Sequence, residues 1–213
     1  MRQTTQITIE HIVVASDRSY EQVIEALEAQ LGPRADWENS ARALITPNTS
    51  WEQAVQLVEQ QLGTSGFTIL SKIEPGALLT LSGKPTRAAQ YAIGNPLLAI
   101  QMIEHAPEVA FYAPLRLVVY ENRAGQAVVA YERFTSQLAQ YANPEIAPVA
   151  QLVEQKLEAL VAQATGAGAS PLKHGQRPGP FSSPWHSPAI SSCGFLTSSQ
   201  RLLFNRFCWY GRR

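Results

Sequence analysis

The sequence predicts an α+β domain in which an antiparallel sheet is covered on one face by helices. Short β-branched runs separated by turn residues supply the strands, and several segments carry helix caps at both ends. One long amphipathic pattern, over residues 147–163, supplies the main cover. In that pattern Val149, Leu152, Val153, Leu157, Leu160, Val161 and Ala164 recur at three- and four-residue spacing, with Gln151, Glu154, Gln155, Glu158 and Gln163 opposite them.

Taken in order, residues 7–14 form the first strand, with Ile7, Ile9, His11 and Val13 on one face and His11 at most half-buried. Two similar segments follow, SYEQVIEALEAQLG at 19–32 and SWEQAVQLVEQQLG at 50–63, identical at seven of fourteen positions. Each opens with Ser and carries Gln three residues later, the spacing of a capping box, and each ends in Gly, so helices are expected over 19–31 and 50–62. Capping and helical periodicity alone produce much of this similarity, so two ordinary amphipathic helices are preferred over an internal duplication.

Residues 67–73 read as a strand, Pro75-Gly76 as a turn and 77–81 as the antiparallel partner strand. Another strand spans 87–93. Gly94-Asn95-Pro96 then starts a helix: Asn95 is a good N-cap, and Pro fits the first turn, where its missing N–H costs nothing. Leu97, Leu98, Ile100, Met102 and Ile103 leave that helix, over 96–105, apolar on more than one side, and Pro107 stops it. Strands 115–121 and 127–133 flank the short loop Asn122-Arg123-Ala124-Gly125. About six strands result, mostly meandering, with helices 19–31, 96–105 and 147–163 as cover.

The zero net charge of the 213-residue chain conceals two unlike parts: residues 1–164 hold 11 Lys and Arg against 17 Asp and Glu, a net of −6, and residues 165–213 hold 6 Lys and Arg and no acid. The expected organisation is therefore a single α+β domain over 1–164 and a basic tail over 165–213, rich in Pro, Ser and Gly, whose composition is that of a disordered or aberrant extension. Both cysteines, Cys193 and Cys208, fall in the tail, which argues against a disulfide-stapled fold. The N-terminal residues have no apolar run of signal-peptide length, and no stretch is long enough to span a bilayer, so the body is expected to be soluble and cytoplasmic, with no membrane partner. Its negative charge disfavours nucleic acid. No dinucleotide loop, phosphate-binding loop, nucleophile elbow or zinc-protease helix occurs, and no cofactor is expected.

GFTILSKIEPGALLTL, YAIGNPLLAIQMIEH and YAPLRLVVYENRAGQAVVAYER, in this order, resemble the bacterial and fungal family catalogued as domain of unknown function 302. Gly94-Asn95-Pro96 leading into a helix, and Pro114, Leu115, Val119, Tyr120 and Glu121 in the strand after it, carry the resemblance, which runs from about residue 6 to about 163. It implies a curved antiparallel sheet around a long C-terminal helix, the helix-grip or TATA-binding-protein-like arrangement, often as a homodimer. The family has no agreed activity. The second helix and the Pro-containing connection between residues 19 and 63 depart from its shorter opening.

Two constellations are candidates for chemistry. His105 and Glu108 flank Pro107, a spacing that suits a general base with its orienting carboxylate, or nitrogen and oxygen donors for a divalent metal. A His favoured by the dipole at a helix end and a surface Glu explain the same residues, and that reading is preferred. Tyr91, Tyr112, Tyr120 and Tyr131, with Asn95 and with Arg116 as an anion contact, are the candidate pocket wall, set against the reading that they are ordinary core-edge residues. No third catalytic group accompanies His105 and Glu108. The expected function is therefore non-catalytic binding or sensing of a small molecule, with a small enzyme using those two residues as the alternative.

Overall fold

The computed structural model describes residues 2, 4–33, 49–81, 83 and 85–167, and the expected tail from 168 onward lies outside them. Within them the chain is α+β: a curved five-stranded antiparallel sheet packed on a long C-terminal helix. The strands are β1 (His11–Ala15), β2 (Thr68–Ile73), β3 (Ala88–Gly94), β4 (Leu115–Glu121) and β5 (Ala127–Glu132), in spatial order β1-β5-β4-β3-β2. Strands β2 to β5 form a meander, and β1 pairs with β5 at the far edge.

The helices are α1 (Tyr20–Glu28), α2 (Trp51–Glu59), α3 (Gly76–Leu81), α4 (Pro96–Ile103), α5 (Phe134–Leu138) and α6 (Ile146–Thr165). Both expected capping boxes form: the Ser19 and Ser50 hydroxyls accept from the Gln22 and Gln53 amides, and the Gln side chains accept from the Ser amides. The two helices are unequally buried. Val23 and Leu27 of α1 are fully enclosed, whereas only Val58 of α2 is buried, with Trp51 and Leu57 exposed. The core lies between the sheet and α1 and α6, joining Val23 and Leu27 to Tyr91, Leu117, Val119 and Val129 and to Val153, Leu157 and Leu160.

Three expectations are corrected. Residues 77–81 are helical, and β2 pairs with β3 instead, giving five strands where six were expected. The segment is Ala- and Leu-rich, which favours a helix, and Gly76 packs so closely on the Thr86 carbonyl that an added Cβ would lie 1.9 Å from it. In α6, Leu152 is exposed, and the buried stripe runs instead through Ile146, Ala150, Val153, Leu157, Leu160, Val161 and Ala164. Helix α4 is half-buried along most of its length, yet among its residues only Met102 is buried outright and Ile100 is exposed.

Candidate functional site

Register decides which of the sequence-derived candidates meet. Across the inner face one row reads Ile12, Tyr131, Leu117, Tyr91 and Lys72, placing Tyr91 and Tyr131 in the core on either side of Leu117. On the opposite face Arg116 lies beside Ala92, and Tyr120 lies between Ala88 and Val128. The expected wall of four tyrosines with Arg116 is thus divided between two faces. The parity within each strand is as expected. The offset between strands puts Leu117, and not Arg116, in line with Tyr91 and Tyr131.

The inner Tyr91 has a structural explanation. The Tyr91 hydroxyl donates to Glu28 Oε1 at 2.5 Å, and Lys72 Nζ lies 2.9 Å from the same oxygen, 3.2 Å from Glu74 and 5.5 Å from the Tyr91 ring centre. Burial, reinforced by the adjacent Glu28 carboxylate, pushes the Tyr91 pKa far above its ordinary value, so the phenol stays neutral. Asn95 is also fully engaged: Oδ1 accepts from the Leu97 and Leu98 amides, and Nδ2 donates to the Gly66 carbonyl.

The His105 and Glu108 pair does not assemble. Both side chains are exposed, and His105 Nε2 lies 3.5 Å from Glu104, its neighbour in the chain. Glu108 sits on the 3-10 turn Pro107–Tyr112 with no ion-pair or hydrogen-bond partner among the described residues. An acid–base pair requires mutual hydrogen-bond reach and shelter from water, and the arrangement offers neither. Among the described residues no group of three or more metal-ligating side chains occurs.

A cleft that the motifs did not single out lies between α5 and the start of α6. It measures about 370 Å³ and is lined by Leu138, Ala139, Ala142, Ile146, Ala147 and Ala150, with Thr135, Asn143 and Gln151 as polar groups. The chain makes this shape for local reasons. Ala142 takes a left-handed conformation, φ 43°, which ends the turn after α5, and Asn143 Oδ1 accepts from the Glu145 amide as Pro144 leads into α6. Glu154, reaching across from α6, accepts from both the amide and the hydroxyl of Thr135, at 2.9 and 2.5 Å. Arg133 Nη1 lies 3.4 Å from the same carboxylate, so the polar side of the cleft is held by a charged pair. The available sequence signal was the run of alanines at 139, 142, 147 and 150, whose small side chains leave the gap between Leu138 and Ile146 unfilled.

Near the cleft, Phe111, Tyr112 and Tyr141 stack edge to face. Their ring centres are 5.2 Å apart for Phe111 and Tyr112 and 6.3 Å apart for Tyr112 and Tyr141, with interplanar angles of 81° and 78°. Tyr112 is the only member of the expected wall found here, its hydroxyl accepting from Gln140 Nε2 at 2.6 Å. Phe111 is 78% exposed.

A solved structure described as the uncharacterized conserved protein DUF302 from Bacillus stearothermophilus matches with a TM-score of 0.50 and 18% identity, over 72% of this chain and 97% of that one, a likeness of fold. No curated protein matches the chain. Among the described residues no helix is long and apolar enough to cross a membrane. The model of the family described as Domain of unknown function DUF302 matches residues 44–164, taking in α2 and every later element up to the last turn of α6, and the chain belongs to that family.

Proposed function

We propose that the domain is a non-catalytic binding or sensing module whose small-molecule site is the cleft between α5 and α6. The observation that carries this reading is the cleft itself: about 370 Å³, an apolar lining, and three polar side chains of which Thr135 is fixed by Glu154. Ligand sites of this kind are concave, mostly apolar and oriented by a few polar groups. The exposure of His105 and Glu108 supports binding over catalysis. The cysteine-free body suits a reducing cytoplasm.

The test is a thermal-shift and calorimetric titration with short alkyl compounds, hexanol first. A ligand at a hundredfold excess over its dissociation constant stabilises the folded chain by about 2.7 kcal/mol. Ala147 is exposed and lines the cleft, so Ala147→Phe is expected to abolish binding while leaving the melt of the free protein unchanged. Saturable binding that survives this substitution would move the site elsewhere.

The outer face of the sheet supports a second reading, self-association. Its middle row is Val13, Ala130, Val118, Gln90 and Ile73, with Val13 and Ile73 54% and 56% exposed. A two-fold axis running across the strands would set Val118 on its own copy and Arg116 over the copy's Tyr120, a favourable cation–aromatic pairing. An axis along the strands would set Arg116 against Arg116, so we assign the former. Light scattering should report a dimer that Val118→Glu converts to monomer; a monomeric parent chain removes this reading.

A further inference from the structure

We propose that the molecule bound at the α5–α6 cleft is an organic ammonium ion, its charged head held at the aromatic corner by Phe111 and Glu108 and its apolar chain lying in the cleft. This deepens the binding reading above and rests on it.

The geometry begins with the 3-10 turn Pro107–Tyr112. At three residues per turn, side chains three apart eclipse one another, so the turn presents three stripes, of which Pro107 and Ala110 form one exposed edge. Val109 and Tyr112 form the inner one, buried and half-buried, and Glu108 and Phe111 form the third, both exposed. A carboxylate and an aromatic ring therefore project side by side into solvent, the ring resting edge to face on Tyr112.

The rings beside it complete the corner. Tyr112 stands edge to face with Phe111 and with Tyr141, and Gln140 fixes the Tyr112 hydroxyl. Tyr141 lies between Ala139 and Ala142 in the chain, and both of these line the cleft. The Glu108 carboxylate is near enough that, after burial and Tyr112, its charge contributes to raising the Tyr141 pKa.

Charge selects the ligand. Residues 95–115 and 134–155, which hold α4, the 3-10 turn, α5 and the first half of α6, contain Glu104, Glu108, Glu145 and Glu154 and not one Lys or Arg, with Arg116, Arg133 and Lys156 immediately beyond them. Arg133 occupies Glu154, while Glu108 has no cation among the described residues. An unopposed carboxylate next to an exposed aromatic face attracts a cation and repels an anion, and aromatic faces favour alkylammonium groups in particular. A neutral or acidic ligand would leave both features unused.

The experiment compares hexyltrimethylammonium, hexanol and hexanoate by calorimetry on the full chain, at low and high salt. The ammonium compound should bind most tightly, hexanol more weakly and hexanoate most weakly, with the preference shrinking as salt rises. Glu108→Gln should leave the melt unchanged and Phe111→Ala should lower it only slightly through loss of the contact with Tyr112, and each should lower the ammonium affinity about two- to fivefold while leaving hexanol binding unaltered. Equal binding of all three compounds, or no effect of Glu108→Gln, overturns the ammonium assignment and leaves the cleft reading standing. Failure of all three to bind overturns both. A choline headgroup offers the same chemistry, so vesicles of phosphatidylcholine form a further arm, and retention of the chain on them would overturn the assignment to a free ligand.

Discussion

Gly32 and Gly63 donate their amide N–H groups to one acceptor, the carbonyl oxygen of Phe67, at 2.8 and 2.9 Å. The two similar helical segments thus end at a shared point where the chain enters β2. Their backbones approach so closely that a Cβ built on Gly32 would lie 1.7 Å from the Gln61 carbonyl oxygen, and one on Gly63 would lie 2.2 Å from that of Gln30. Glycine is required here by close approach of backbone to backbone.

Gly32→Ala and Gly63→Ala are each expected to destabilise the domain by about 2–4 kcal/mol, because the clash is with main-chain atoms that cannot rotate away. Urea denaturation monitored by circular dichroism measures this. A loss below 1 kcal/mol (about RT ln 5) would mean that the junction opens in solution.

Replacing Asn95 separates its two roles. Asn95→Asp keeps the acceptor for the Leu97 and Leu98 amides and loses the donor to the Gly66 carbonyl, whereas Asn95→Ala loses both. Expected losses are about 1 and about 2 kcal/mol respectively. A melt of Asn95→Asp equal to that of the parent chain would show that the bridge to Gly66 contributes nothing, and equal melts for the two variants would show the same of the cap.

Arg18 fastens the end of α6: Nη1 donates to the Gln163 and Ala164 carbonyls, each at 2.9 Å, and Gly166 follows in the left-handed region with φ 71°. Its positive charge also opposes the helix dipole. Arg18→Ala should cost about 1–2 kcal/mol. The loss should appear in hydrogen exchange as faster opening confined to the last turn; uniform change across the domain would contradict local capping.

Stability should fall at both ends of the pH range through one cluster. For Glu28 burial by itself raises the carboxyl pKa, but the Tyr91 hydroxyl and the Lys72 ammonium outweigh it and hold it below its ordinary 4.5. A lowered folded-state pKa means that this stabilisation is present above about pH 4.5 and is lost as pH falls through the lowered value. Tyr91 runs in the opposite direction: its pKa is raised, so its contribution is intact below the ordinary 10.0 and is lost as pH rises beyond it. Denaturation curves of the parent chain and Glu28→Gln check this. The variant should have the flatter acid limb, and identical limbs would remove Glu28 from the account.

The capping boxes at Ser19 and Ser50, the Asn95 cap, the turn between β4 and β5 and most of the α6 stripe were determined by the sequence itself, since each rests on neighbours within a few residues. Strand parity was legible too: Arg116, Val118 and Tyr120 share a face, as Val129 and Tyr131 do. Tertiary structure alone decided how those faces combine, because a one-residue difference in register between strands transfers a whole set of side chains to the other face. It also decided that residues 77–81 coil as part of a helix where a hairpin strand was expected: β2 takes β3 as its antiparallel partner, and the Gly76 backbone packs against the Thr86 carbonyl at the start of that helix. The junction of Gly32 with Gly63 and the cleft between α5 and α6 join residues distant in the chain or depend on what packing leaves empty. Local propensities carry no record of either, because both are set by the shapes of elements that meet only after the chain has folded.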